Sequence, residues 1–301
     1  AGVLMCDKAN GHDEATTTTG VGKEQKTPSC CQLRRRQVQA SPQLTIFRAS
    51  ESNSHWPEIF STSPCCPHWR TGYLLWQIFV LLVFAFHVTW DTHLFWSAGY
   101  YLIQFTAWML MLQSSYFFLS VYTTWRAQRA LPTSDAGKVF LPWCVRLCLA
   151  LMHLCVPGSL MVALGFWAAL STNTDNPQIV YTTTFAHGTN AALAFLDLLQ
   201  SRRTFSPRYC VFLMFFMFLF ACWSGVHHAA NVGTFYGCSD YERARCPIYT
   251  ALDWHEPVTA AVTSVVCILV APPLMSVLVW ALLLLFRWPA SFSRPQREAD
   301  L

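Results

Sequence analysis

The stretch that decides the fold is Phe185 to Arg203, FAHGTNAALAFLDLLQSRR. Most of it is apolar, and with the residues before it the run is long enough to enter a bilayer. Yet it carries His187, Asn190 and Asp197. A polar or ionisable group in hydrocarbon costs on the order of several kcal/mol unless it is satisfied, so such groups usually face a bundle interior or a watery cavity. With Thr183, these positions fall at helical steps and share one stripe. Two readings stay open. The stripe is a polar site inside a membrane bundle, or it is hydrogen-bonding glue between helices.

Composition favours a membrane protein. Hydrophobic residues make up 53% of the 301 residues and charged residues only 12%; a soluble globular chain carries roughly twice that charge. The net charge of +4 is less informative than its distribution along the chain, and no nucleic-acid partner is expected. Ala1 to Asn10 has no long apolar core followed by a cleavage site, so the first span is expected to direct membrane entry.

Working outward, six apolar segments stand near Tyr73–Trp90, Ser97–Tyr122, Trp143–Leu170, Ile179–Gln200, Tyr209–Val232 and Val258–Phe286. Each supplies the ~20 residues needed to cross the hydrocarbon core. The fold class is therefore an all-α, polytopic bundle of six transmembrane helices over residues 69–287. Pro272-Pro273 is expected to kink or break the last span. Residues 1–68, with a threonine run at Thr16 to Thr19 and a basic run at Arg34 to Arg36, read as a disordered cytosolic tail. Residues 288–301 read as a second cytosolic tail.

Basic residues set the orientation. Seventeen Lys or Arg fall in the N-terminal segment, the second and fourth loops and the C-terminal tail; only Arg243 and Arg245 fall in the loops on the other side. The positive-inside rule then places both termini in the cytosol. The fifth loop, outside in this topology, holds Cys238 and Cys246, which would face an oxidising compartment and form a small disulfide loop. Cys65 and Cys66 lie just before the first span, where cytosolic cysteines are either palmitoylated or plain free thiols. No CxxC, HExxH, Walker, GxGxxG or GxSxG pattern occurs, so no metal or cofactor is expected.

The second span, GYYLIQFTAWMLMLQSSYFFLSV, has Thr106, Gln113 and Ser120 every seven residues, again on one face. Thr106 lies about ten residues from the outer end of its span and His187 about nine from that of its own. At 1.5 Å per residue both sit roughly 14 Å deep. A hydroxyl is weakly nucleophilic until a base takes its proton, and an imidazole at matched depth is such a base.

The segments WDTHLFWSAGYYLIQFTAW, HGTNAALAFLDLL and PIYTALDWHEP resemble the rolling stone family of multi-pass membrane proteins, over about Pro67 to Arg287. That family is distantly similar to the androgen-induced family of transmembrane threonine hydrolases. In those, an intramembrane Thr and His are required to hydrolyse fatty acid esters of hydroxy fatty acids. The resemblance maps the hydrolase Thr, seven residues before a Gln, onto Thr106 and Gln113. Its His, ten residues before an acid, maps onto His187 and Asp197. Its paired fifth-span histidines map onto His227 and His228. The family's Tyr-Pro pair before the last span appears here as Tyr249 followed by Thr250. The resemblance to rolling stone implies instead a non-catalytic role in cell–cell (myoblast) fusion at the plasma membrane.

The expected catalytic pair is thus Thr106 and His187, with Asn190, Gln113, His227 or His228 lining the site or stabilising an oxyanion, and a membrane lipid, a fatty acid ester, as substrate. The competing expectations for single residues are bland. His87 sits at the membrane interface, His153 is explained by packing, and Asp197 pairs with a basic residue at the inner boundary rather than orienting His187. A transporter is the weakest class, because no internal repeat is present.

Overall fold

The computed structural model describes residues 56–61, 70–96, 101–130, 141–167, 184–234, 242 and 245–287. Eight α-helices are present among them and no strand. They are α1 (Trp56–Ser61), α2 (Arg70–Trp96), α3 (Phe105–Arg129), α4 (Trp143–Gly165), α5 (Asn190–Gln200), α6 (Cys210–Ala229), α7 (Pro257–Leu269) and α8 (Ala271–Arg287). A π-helical turn, Phe185–Thr189, leads into α5.

Helix α2 shows why the chain folds this way. Tyr73, Gln77, Val80, Phe84, His87 and Asp91 recur at alternating steps of four and three, and all are buried. Leu75, Phe79, Leu82 and Phe86 on other faces are each more than half exposed. A helix with one buried stripe and an apolar outer surface suits hydrocarbon as its solvent. The same outward apolarity recurs on α6 through Phe215 and Phe218, and on α7 and α8 through Val262, Leu269, Leu274 and Leu285.

Four helical stretches among the described residues are long and apolar enough to cross a membrane: Arg70–His93, Trp143–Gly165, Pro207–Ala229 and Pro257–Phe286. They fit an integral membrane protein. The other two expected segments differ for physical reasons. Helix α3 has 25 residues, ample for a crossing, but buries Thr106, Gln113, Ser120, Thr123 and Thr124 and is correspondingly polar. The fourth segment is helical from Thr184 to Gln200, short of a full span, and residues 168–183 lie outside the described residues.

Helix α4 is the hub, packing against α3, α5, α6 and α8. Its approach to α3 is set by Gly158, where a Cβ would lie 2.6 Å from Met109 Cε. The last expected span is interrupted at Val270, between α7 and α8. Pro272 and Pro273 have no N–H to offer the carbonyls four residues earlier, which is the cause foreseen in the sequence.

Two expectations are corrected. Trp56–Ser61, within the stretch read as a disordered tail, is helix α1, with Trp56, Phe60 and Ser61 buried. It packs on α3 because it carries two large aromatics on one face. His87 is not interfacial: it is 3% exposed and stacks on Phe185 at 3.3 Å between ring centroids. It lies on the buried stripe of α2, whose helix continues to Trp96.

At the end of the bundle near α1, Arg203 is wholly buried, although its place in the sequence suggested a solvated loop. Its guanidinium lies 3.6 Å from Asp197 Oδ2 and donates to the Tyr116 hydroxyl at 2.7 Å and to Ser120 Oγ at 2.5 Å. Tyr116 in turn donates to Asp197 Oδ2 at 2.7 Å. Gln77 Nε2 donates to Ser120 Oγ at 2.7 Å and reaches Asp197 Oδ1 at 3.4 Å. Phe60 of α1 covers the guanidinium, 4.7 Å from ring centroid to Cζ, and Glu58 pairs with Arg202 at 3.2 Å.

Removing one partner of a buried ion pair leaves the other charge uncompensated. Arg203→Met is therefore expected to destabilise the fold by about 3–5 kcal/mol. The double variant Arg203→Met with Asp197→Leu should recover much of that loss. Thermal unfolding of the detergent-solubilised protein checks both.

Candidate active site

The site is built where α3 begins. Residues Phe105, Thr106 and Ala107 occupy the first turn of α3, whose N–H groups have no carbonyl within the helix. Hydroxyls farther along α3 bond back to the carbonyl four residues earlier: Ser114 to Leu110, Ser115 to Met111 and Thr123 to Leu119. Thr106 does not follow them. The carbonyl four before it, Leu102 O, accepts from the indole Nε1 of Trp108 at 2.7 Å. The Thr106 hydroxyl instead meets His187 Nε2 at 3.2 Å, and Thr106 is itself 9% exposed.

His187 stands in the π-helical turn Phe185–Thr189, an irregularity that recurs at functional sites. Its ring stacks on Phe166 at 3.9 Å between centroids, and its carbonyl accepts from Trp167 Nε1 at 2.9 Å. Two aromatic side chains from the end of α4 thus fix both the ring and the turn that carries it. With Thr106 as donor, Nε2 is the accepting nitrogen.

Asn190 and Gln113 form the next level along the same two helices. Asn190 Nδ2 donates to Gln113 Oε1 at 3.2 Å, and both side chains are fully buried. Asn190 Oδ1 accepts from the Ala191 N–H at 2.6 Å. Gln113 Nε2 has no hydrogen-bond partner among the described residues. Asp197 lies two helical turns beyond Asn190 and is held by Arg203, Tyr116 and Gln77, as above.

A third group was not legible as part of the site. Tyr249, in the segment before α7, accepts from the Phe105 N–H at 3.2 Å, next to Thr106. Burial pushes its phenol above the ordinary tyrosine range, outweighing the hydrogen bond from Phe105 that pulls it down. The phenol is therefore protonated across neutral pH. Its sequence signal was only its position before the last span.

His227 and His228 are engaged elsewhere. The His227 ring donates to the Gly233 carbonyl at 2.6 Å. The backbone of Val232 returns to His227 O and that of Asn231 to His228 O. Asn231 takes a left-handed conformation at φ 52°, so this is a Schellman termination of α6. His228 packs edge-on against His255, 4.5 Å between centroids. Both histidines line a small pocket with Ser224, Arg245 and Trp254, and no contact among the described residues joins them to Thr106 or His187. His153 is likewise structural: Nδ1 donates to Leu149 O at 2.7 Å and Nε2 accepts from the Ser206 N–H at 3.1 Å.

Cys246 is buried and disulfide-bonded. Its expected partner Cys238 lies outside the described residues, as do Cys65 and Cys66. Among the described residues no group of His, Cys, Asp or Glu is arranged to hold a metal ion. Comparison with protein-family models, with curated proteins and with solved structures returns no match.

Because the buried Asn190 amide donates to the Gln113 carbonyl, Asn190→Leu is expected to destabilise the bundle by about 1–3 kcal/mol by stranding that carbonyl. The double variant with Gln113→Leu should lose less than the sum of the two single changes. Unfolding midpoints of the three variants in one detergent check this.

Proposed function

We propose that the chain is a six-span membrane hydrolase in which Thr106 and His187 cleave a lipid ester. The observation that carries this reading is the 3.2 Å approach of Thr106 Oγ1 to His187 Nε2, with the hydroxyl released from its own helix. His153 and His227, by contrast, hold a loop and close a helix end.

In the proposed reaction Nε2 takes the Thr106 proton while Oγ1 bonds to the ester carbonyl carbon, and the carbonyl π pair moves onto oxygen. The developing oxyanion faces the first turn of α3, where the Ala107 N–H has no helical acceptor. Collapse breaks the bond to the alcohol, which leaves with the proton from His187. Water, deprotonated by the same imidazole, then releases the acid from Thr106. Asn190 and Gln113 form the polar floor beneath the pair. An apolar ester reaches such a site laterally, and fatty acid esters of hydroxy fatty acids are the class that the resemblance to the threonine hydrolases suggests.

The topology proposed with this function has six spans and both termini in the cytosol, in the plasma membrane. It counts α3 and the segment ending at Gln200 as spans enclosed by the four apolar ones. A Cys238–Cys246 bridge belongs to the outward fifth loop in this arrangement, and Cys65 and Cys66, as free thiols or acylated, to the inner face.

Incubation of the full-length protein with a fluorophosphonate probe is expected to label Thr106. Hydrolysis of a fluorogenic long-chain acyl ester should fall to background in Thr106→Ala and in His187→Ala. The double variant should be little worse than either, because the two act as a unit. A well-folded wild-type protein with neither labelling nor turnover would replace this reading with the rolling-stone-like, non-catalytic protein of cell–cell fusion.

For the topology, a glycosylation acceptor inserted after Ser239 should be modified during membrane insertion and one near Thr133 should not. The reverse pattern would overturn the orientation.

A further inference from the structure

We propose that the C-terminal end of α3 binds an anionic phospholipid. Arg126 and Arg129 hold its phosphate, and the stripe of Phe118, Tyr122 and Trp125 receives the rest of the molecule.

Phe118, Tyr122, Trp125 and Arg129 follow one another at steps of four, three and four, and Arg126 lies one turn beyond Tyr122. These steps put all five on one face of α3. The face is open: Phe118 is 62% exposed, Tyr122 39% and Trp125 41%, and both arginines are exposed. Its chemistry changes in order along the helix. A phenyl ring comes first, then a phenol and an indole, then two guanidinium groups. The rise from Phe118 to Arg129 is roughly 16 Å. A phospholipid standing in one leaflet presents the matching order of acyl chain, glycerol level and phosphate. Tyr and Trp suit the middle level, where amphipathic rings collect.

The two cations are engaged only lightly by the chain. Arg129 lies over the Trp125 ring, 4.2 Å from Cζ to the ring centroid, which anchors its guanidinium beside the indole. Arg126 Nη1 donates to Cys144 Sγ at 3.8 Å, a weak acceptor that takes one of five N–H groups. Among the described residues no carboxylate pairs with either arginine. Glu58 and Asp197, at the same end of the bundle, pair with Arg202 and Arg203. Gln128 Nε2 donates to Arg70 O at 2.7 Å, so the start of α2 adds the exposed Arg70 to this end. Guanidinium forks match phosphate oxygens in geometry as well as charge. A soluble anion would need the cations alone; the open aromatic stripe leading away from them favours a lipid. A zwitterionic headgroup brings its own ammonium against the arginines, so a net negative one fits better. The leaflet rests on the orientation proposed above and is the cytosolic one, whose anionic lipids attract juxtamembrane basic residues. The contact itself depends neither on that orientation nor on the hydrolytic reading.

The test is native mass spectrometry of the full-length protein from detergent micelles holding equal amounts of phosphatidylserine and phosphatidylcholine. Each arginine near a headgroup is worth about fivefold in affinity, so the wild type should retain phosphatidylserine about 25-fold over phosphatidylcholine. Arg126→Gln combined with Arg129→Gln should bring the two lipids to parity. Arg129→Gln alone, which leaves the contact to Cys144 intact, should remove about fivefold of the preference. Arg208→Gln, an exposed arginine between α5 and α6, should leave the preference unchanged. Equal retention by the wild type, a preference that survives the double variant, or an equal loss in Arg208→Gln would overturn the site. A large excess of glycerophosphoserine, the headgroup without its chains, should not displace the lipid; displacement would assign the arginines to a soluble anion and overturn the lipid. A reversed glycosylation pattern with the lipid preference intact would overturn the cytosolic leaflet and uphold the site.

Discussion

A polar side chain shut away from water must find its partner inside the protein, and this constraint organises the bundle. Helix α3 and the segment running from Phe185 into α5 meet along matched polar stripes at three levels. Thr106 meets His187, Gln113 meets Asn190, and Tyr116 meets Asp197. The pairing fixes the register of the two helices more narrowly than apolar packing would, because sliding by one turn would strand every group at once. The helices around the pair carry exposed Leu, Val and Phe, and the pair itself exposes Phe118 on α3 and Leu196 on α5.

The levels differ in what is left over. At the Arg203 end the network closes around a charge pair, with the Gln77 side-chain carbonyl left over. In the middle, one amide hydrogen-bonding group of Gln113 remains over. At the Thr106 end the pairing is a single contact between a hydroxyl and an imidazole, set among Phe166, Trp167 and Tyr249. The same zipper therefore grades along one stripe from a closed charge network to a single hydroxyl–imidazole contact, the one on which the proposed hydrolase reading rests.

Much of this was legible in the sequence, for identifiable reasons. Helical spacing placed Thr106, Gln113 and Ser120 on one face and His187, Asn190 and Asp197 on another, and equal depth brought Thr106 to His187, because a rise of 1.5 Å per residue is indifferent to side chains. The break before Pro272-Pro273 follows from the missing N–H groups. What spacing does not carry is rotation about the helix axis relative to distant segments. Tyr249 reaches the first turn of α3 from within the fifth loop, and nothing local to either element signals it. The paired histidines looked like site residues by kind, yet a helix end claims His227 through both its ring and its carbonyl. Arg203 looked like a loop cation because charge was counted by position along the chain. Its burial depends on Phe60 and Tyr116, which a linear reading does not bring together. Helix α1 was hidden by its neighbours' composition, since six residues are too few to outweigh a polar tail.

The seating of α1 has a consequence for the order of assembly. It is the first described helix to leave the ribosome, but its partners Arg202 and Arg203 lie over 140 residues later in the chain, as the Glu58–Arg202 separation of 144 shows. Contacts so distant in sequence form late, because the intervening chain must first be brought together. The earliest-made helix thus completes its docking late: its seat on α3 is available once that helix exists, but the guanidinium that Phe60 covers comes only with residue 203.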